Sequence, residues 1–120
     1  MNDNTRRAIA LITGSIVAGK NPSSVYDYAF SKLFPFSRQA SLTNVNVYDY
    51  TEKCHITGSG KNGNFSLYHY GNSKHITLEI KGNSFSGYDH HTTAHYNGQV
   101  NGTSISVYDY QHSQHFNYSV

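Results

Sequence analysis

The feature that most restricts the fold is a tyrosine-containing tetrapeptide that recurs at an almost fixed interval. Val-Tyr-Asp-Tyr occupies residues 25–28, 47–50 and 107–110, and the related Leu-Tyr-His-Tyr and Gly-Tyr-Asp-His occupy residues 67–70 and 87–90. A period of about twenty residues indicates a repeat architecture in which each unit is one supersecondary structure. The first tyrosines of the five copies mark this period: Tyr26, Tyr48, Tyr68, Tyr88 and Tyr108.

Turn sequences between the copies indicate that each unit is a β-hairpin. Asn62-Gly63 is the preferred pair for a two-residue type I′ turn, and glycine-containing turns recur at residues 81–84 and 101–104. Polar four-residue segments form the alternate connections, at residues 51–54, 71–74, 91–94 and 111–114. The pattern therefore predicts an all-β chain: an antiparallel meander of about 8–10 strands built from hairpin repeats of about twenty residues.

This pairing predicts a register and two chemically different faces. Tyr50 should lie opposite His55, and Tyr68 opposite Thr57. Because side chains alternate between faces, the Val, Leu, Ile and Phe positions then share one face, and the Tyr, Ser, Thr and Asn positions share the other. The repeat aspartates are expected on the apolar face, at strand ends where they reach solvent or accept hydrogen bonds from turn amides: Asp27, Asp49, Asp89 and Asp109.

An amphipathic segment at residues 4–19 is predicted to be an α-helix that packs on the apolar face. Its apolar part, residues 8–19, follows Arg6 and Arg7 and has some features of a secretory signal, but we interpret it as part of a structural helix that is too short to span a membrane. Its length of about 24 Å cannot cover a flat sheet about 40 to 48 Å wide. The sheet must therefore curl around the helix, or a second copy must cover the remainder in a homo-oligomer.

The predicted organisation is one domain over residues 1–120. It consists of an N-terminal helix at 1–20, an irregular capping hairpin at 21–44 and regular hairpin repeats at 45–120. Charged residues make up only 13% of the chain and the net charge is +2 with neutral histidines, so nucleic acid is not expected as a partner. Cys54 is the only cysteine, which excludes an intrachain disulfide.

The tyrosine-rich face is the first candidate site. Exposed tyrosines flanked by Ser, Thr and Asn can stack on sugar rings or anchor a protein partner. The alternative is that a regular tyrosine ladder only stabilises the sheet by cross-strand packing. The candidate binding face consists of Tyr48, Tyr50, Tyr68, Tyr70, Tyr88, Tyr108 and Tyr110.

A row of histidines is the second candidate site. His90 stands where the repeat otherwise has tyrosine, which places it beside His75 and His95 on the predicted row, with His91 in the adjoining turn as a fourth ligand. Imidazoles on neighbouring strands can share zinc, copper or nickel. The alternative is that these histidines only stack between tyrosines.

The sequence favours a non-catalytic module for binding or assembly over an enzyme. It contains no phosphate-binding glycine loop before a helix and no Gly-x-Ser-x-Gly motif. Repeats also place Ser, His and Asp in lines rather than in one converging pocket. A metal-binding protein is the first alternative, and a pH-responsive structural protein, in which the row of histidines is charged together, is a weaker one.

Overall fold

The computed structural model has one helix followed by ten antiparallel strands that form a closed barrel. The structure describes the whole backbone of residues 1–120 and every side chain except those of residues 38 and 39. The predicted all-β meander with one N-terminal helix is confirmed. The elements are α1 (Asp3–Ala18), β1 (Ser24–Asp27), β2 (Lys32–Ala40), β3 (Asn44–Asp49), β4 (Cys54–Lys61), β5 (Asn64–His69), β6 (Lys74–Lys81), β7 (Ser84–Asp89), β8 (Ala94–Asn101), β9 (Ser104–Asp109) and β10 (Gln114–Ser119).

The apolar face is covered because the sheet curls around the helix. β1 pairs with β10 through Tyr26 opposite Ser119 and Asp27 opposite Tyr118, which closes the barrel. α1 lies inside, packed against β1, β2, β3, β8, β9 and β10, and ends at Gly19, which adopts the left-handed conformation. The closed barrel covers the apolar face within one chain, so a second copy is not needed for this purpose. The homo-oligomer stays a prediction.

The two ends of the barrel carry different connections. At one end, two-residue turns join strands as predicted: Asn62 and Gly63 both have positive φ, as a type I′ turn requires, and Gly82 and Gly102 have the positive φ of a type II′ turn. At the other end, every hairpin closes through a four-residue loop, including the first hairpin, which the sequence analysis set apart as irregular. These loops are residues 28–31, 50–53, 70–73, 90–93 and 110–113.

The predicted register across the four-residue loops is wrong by two residues. His55 lies opposite Tyr48 rather than Tyr50, because Asp49 pairs with Cys54. The cause is local: the Asp49 carboxylate accepts hydrogen bonds from the amides of Thr51 and Glu52, so the loop begins directly after the aspartate. Because the error is an even number of residues, every side chain keeps its predicted face.

The core occupies the barrel interior and consists of the predicted apolar rows together with the helix, which is buried on all sides over residues 5–15. Ile9, Leu11 and Ile12 of α1 are fully buried, as are Val47 and Leu67 of the wall. The repeat aspartates also lie inside, and all four are fully buried. Each accepts a hydrogen bond from a loop amide, as predicted, whereas the alternative that they reach solvent is wrong.

Candidate functional site

The outer surface at the loop end of the barrel carries a repeated aromatic cluster. In each of four units, the first tyrosine of the tetrapeptide contacts the first loop residue and the histidine of the next strand. The Tyr48 ring, for example, lies 5.1 Å from the Tyr50 ring and 4.7 Å from the His55 ring, both edge-to-face. The clusters are Tyr48/Tyr50/His55, Tyr68/Tyr70/His75, Tyr88/His90/His95 and Tyr108/Tyr110/His115.

Backbone hydrogen bonds join these clusters into a band that we call the aromatic belt. The amide of Tyr70 donates to the carbonyl of His55, and His90 and Tyr110 donate in the same way to His75 and His95. Each loop residue therefore stands beside the histidine of the preceding cluster. In the first hairpin Tyr26 contacts Tyr28 at 4.9 Å, and Leu33 takes the position of the histidine.

The outermost members of the belt present large apolar area to solvent. Tyr28, Tyr50, Tyr70 and Tyr110 are each more than half exposed. The belt contains all seven tyrosines predicted as a binding face. The outermost of these seven are Tyr50, Tyr70 and Tyr110, and the half-buried ones are Tyr48, Tyr68, Tyr88 and Tyr108.

The predicted metal ligands do not form one row. His75 and His90 line the same groove, where Lys74 also contributes, and the His90 amide donates to the His75 carbonyl at 3.1 Å. His95 contacts Tyr88 at 4.8 Å between ring centroids, and His91 lies in the loop, where its amide donates to Asp89. Among the side chains that the structure describes, no three His, Cys, Asp or Glu groups are placed to hold a metal ion.

A buried ionic cluster lies inside the barrel beneath the belt. The Asp109 carboxylate accepts hydrogen bonds from the Met1 amino group at 2.9 Å and from Arg6 at 2.8 Å. The Arg7 guanidinium likewise lies 3.2 Å from the Asp27 carboxylate. Burial alone would raise the pKa of Asp109, but the Met1 amino group, Arg6 and the Gln111 amide outweigh it and hold the pKa below its usual value.

Sequence reasoning missed this cluster because it treated the arginines only as a basic flank of the helix. Arg6 stacks over the Phe116 ring at 3.7 Å and Arg7 over the Phe34 ring at 3.7 Å, which lets both side chains remain inside an apolar barrel. The aspartates predicted on the apolar face could have indicated this cluster, because a buried carboxylate is normally paired with a cationic group.

His69 replaces the repeat aspartate in the third unit and reproduces part of its role. It is fully buried, and its Nδ1 accepts a hydrogen bond from the Asn72 amide at 3.1 Å. Burial lowers the pKa of His69, although the carboxylates of Asp49 and Asp89 oppose that shift. Nearby, burial raises the pKa of the Cys54 thiol, which favours its neutral form.

A groove of about 740 Å³ opens on the outer surface over β6, β7 and β8, and sequence reasoning missed it too. It lies above Gly87, where the repeat otherwise has Val or Leu, and beside Tyr88 and His95 of the belt. Tyr96 lies opposite Gly87 and is fully buried, and its hydroxyl donates to the Thr77 carbonyl at 2.7 Å.

No family model, curated protein or solved structure matches this chain. Its single helix, at 16 residues, falls short of what crossing a membrane requires, and no other helix occurs among the residues that the structure describes.

Proposed function

We propose that this protein is a non-catalytic binding module that contacts its partner through the aromatic belt. The observation that carries the proposal is the set of tyrosine rings that are more than half exposed at one end of the barrel. Tyrosine provides rigid contact area together with a hydroxyl, so it contributes binding free energy at a low cost in conformational entropy.

The filled interior of the barrel favours a binding site on its outer surface. Helix α1 and the apolar rows of the strands fill the space that an empty barrel would offer to a ligand. The belt, in contrast, is accessible and is held in place by the T-shaped ring contacts and by the backbone hydrogen bonds between clusters. A partner therefore meets preorganised rings, which lowers the entropic cost of association.

The chemistry of the belt fits two partner classes, a protein surface or a carbohydrate. Tyrosine and histidine edges offer hydrogen-bonding groups, and the neighbouring outward positions are Ser66, Thr77 and Ser86. Repetition of one cluster around the barrel also favours a multivalent partner, because several weak contacts combine through effective concentration.

Binding of the parent protein to a glycan array and to a displayed random-peptide library tests the proposal. The variant Tyr50→Ser/Tyr70→Ser/Tyr110→Ser removes three outermost rings without touching the core. A matched control, Lys61→Ser/Lys81→Ser/Asn101→Ser, changes three exposed residues at the opposite end of the barrel. We expect the belt variant to lose at least about tenfold in affinity while the control binds like the parent.

The far-ultraviolet circular dichroism of both variants verifies that the fold is retained. Equal binding by the belt variant and the parent would contradict the proposal, as would the absence of any ligand for the parent in both libraries.

A second candidate function is binding of zinc, copper or nickel, favoured by the shared groove of His75 and His90. Two imidazoles leave the remaining coordination positions to water or to a partner. Thermal unfolding with each metal and with a chelator tests it, since a ligand specific for the native state raises Tm. We expect His90→Tyr, which restores the repeat residue, to abolish any metal-dependent rise, and an equal rise in this variant would contradict the site.

A further inference from the structure

We propose that the groove above Gly87 is a binding site for one pyranose ring of an uncharged saccharide. This inference rests on the proposed binding function and names its ligand class. Its lining residues come from β5, β6, β7 and β8 and from Tyr110, and one of them, Gly87, stands where the other units have Val or Leu.

The lining of the groove contains two linked departures from the repeat. Units that carry Val47, Leu67 or Val107 have a branched side chain where the fourth unit has Gly87. A Cβ atom at Gly87 would lie 1.9 Å from the Thr77 carbonyl oxygen and 2.5 Å from the Tyr96 hydroxyl, so a larger residue needs a shift of the Thr77 backbone as well as a smaller residue in place of Tyr96. Tyr96 itself takes a position that is Ile56 or Ile76 in other units.

The lining combines an aromatic wall with neutral hydrogen-bonding groups. Tyr88 and His95, in edge-to-face contact at 4.8 Å, form the aromatic part. Ser86 and Asn97 line the groove beside them, and the Asn97 amide nitrogen already donates to the Tyr110 hydroxyl at 2.8 Å. Glu79 adds one carboxylate acceptor.

A sugar ring matches this arrangement better than an anion does. One face of a pyranose presents C–H groups that pack on an aromatic ring, while its hydroxyls at the ring edge both donate and accept hydrogen bonds. None of the described side chains that line the groove belongs to Lys or Arg, and Glu79 would repel an acidic ligand. The volume of about 740 Å³ is within the range of small-ligand sites.

Titration of the ¹⁵N-labelled full chain with cellohexaose, maltohexaose and hexa-N-acetylchitohexaose tests the site, and a hyaluronan oligosaccharide serves as the anionic comparison. One test variant is Gly87→Val/Tyr96→Ile, which gives the wall beneath the groove the residue types of the other units. Tyr88→Leu removes the wall, and Tyr48→Leu is its matched control, since Tyr48 holds the same position in a unit without Gly87.

We expect at least one neutral hexasaccharide to shift the resonances of Tyr88, His95 and Asn97. Kd should rise at least about tenfold in Tyr88→Leu and in the double variant, and stay within about twofold of the parent in Tyr48→Leu. Retained binding by a folded double variant would overturn the groove as the site but leave the belt as the binding surface. Binding of the hyaluronan oligosaccharide alone would overturn the assignment to uncharged sugars.

No shift with any neutral probe at about 10 mM, a concentration that detects even millimolar affinity, would also overturn the inference. The peptide library then decides the proposed function independently, since a belt that binds peptides needs no sugar site.

Discussion

Four aspartates occupy the same position of the repeat, yet their buried carboxylates have different partners. In each aspartate, Oδ1 accepts a hydrogen bond from the backbone amide of the loop residue two positions later in the chain. The second oxygen, Oδ2, accepts from Arg7 in Asp27 and from the Thr92 hydroxyl in Asp89. In Asp109 it accepts from both Arg6 and the Met1 amino group. Asp49 Oδ2 has no hydrogen-bond partner among the described residues. Equal positions in the repeat therefore make unequal contributions to stability.

Asparagine substitution should separate these contributions. Asp109→Asn keeps the acceptor for the loop amide but leaves Arg6 without its buried counter-charge, so we expect a loss of about 3 kcal/mol or more in the free energy of unfolding. Asp49→Asn also keeps that acceptor and removes a buried charge that has no cationic partner among the described side chains, so its effect should stay within about 1 kcal/mol. Urea unfolding of both variants measures the difference, and equal losses would contradict the assignment of partners.

His69 makes stability depend on pH near neutrality. Because its pKa is lowered in the folded protein, the unfolded chain binds a proton first as the pH falls below about 6.5, and the free energy of unfolding decreases. An Asn side chain at position 69 can accept the hydrogen bond from the Asn72 amide, and it does not bind a proton in this pH range. We therefore expect His69→Asn to lose less stability than the parent between pH 7.5 and pH 5 in urea unfolding. Parallel curves would show that His69 does not contribute to this pH dependence.

Asp109 adds a separate dependence at lower pH. Its carboxylate has a pKa below the usual value in the folded state, so its stabilisation is present above about pH 4 and is lost as the pH falls through the folded pKa. The two groups act in the same direction, since acid destabilises the fold through both. The pH-responsive function predicted from a row of histidines charged together is a separate proposal.

At the scale of elements, the two kinds of hairpin connection depend on different chemistry. Two-residue turns rely on glycine and asparagine at positive φ, whereas the four-residue loops rely on an aspartate or His69 to bind a loop amide. Each loop also places a residue at positive φ just before the returning strand: Ser31, Lys53, Ser73, Thr93 and Ser113. The aspartate contact fixes where the loop starts, and thereby places the first loop residue against the tyrosine of the belt.

Alanine at two turn glycines should distinguish backbone strain from crowding. Gly63 and Gly82 both have positive φ, but an added Cβ would meet different surroundings. At Gly63 it would lie 2.4 Å from the Ile80 carbonyl oxygen, whereas at Gly82 no atom of the described residues lies within 4 Å of it. Gly82→Ala should cost about 1 kcal/mol from strain alone. Gly63→Ala should cost about 1 to 3 kcal/mol more, because the neighbouring backbone has to shift. Thermal unfolding measures both, and equal Tm shifts would contradict this distinction.

At the scale of the whole molecule, the barrel closes through its shortest pairing. β1 has four residues and meets β10 in two residue pairs, whereas the central hairpin neighbours each share six. The seam is held in addition from inside, where Arg7 pairs with Asp27 and Arg6 donates to the Tyr118 hydroxyl. The helix therefore fills the barrel and also fastens its closure.

Native-state hydrogen exchange should find the seam to be the first part of the barrel to open. Amides of Tyr28 and Ser119 should exchange through a smaller opening free energy than amides of β5 to β7, because few contacts have to break. Arg7→Met keeps much of the packing on Phe34 but removes the ion pair, and should increase exchange at β1 and β10 selectively. Uniform protection around the barrel would contradict this prediction.

Much of the belt followed from local sequence. The period, the turn residues and the alternation of apolar and polar positions determined the hairpins, the faces and the outward tyrosines, because each depends on backbone geometry over a few residues. The same local rules misplaced Tyr50 opposite His55, since the starting point of a four-residue loop depends on a side-chain hydrogen bond of Asp49. The predicted histidine row failed to form for that reason: His90 is a loop residue.

The amino-acid pattern is sufficient to predict an antiparallel hairpin repeat with one apolar face, one tyrosine-rich face and a helix that covers the apolar face. Three features depend on the tertiary structure: the sheet closes on itself, Arg6 and Arg7 enter the core to meet repeat aspartates, and a groove forms beside Gly87 and Tyr96. The physical reason is the range of the interactions. Strand pattern and turn type are set by neighbours in sequence, whereas closure, buried ion pairs and groove shape depend on which distant side chains compete for the same space.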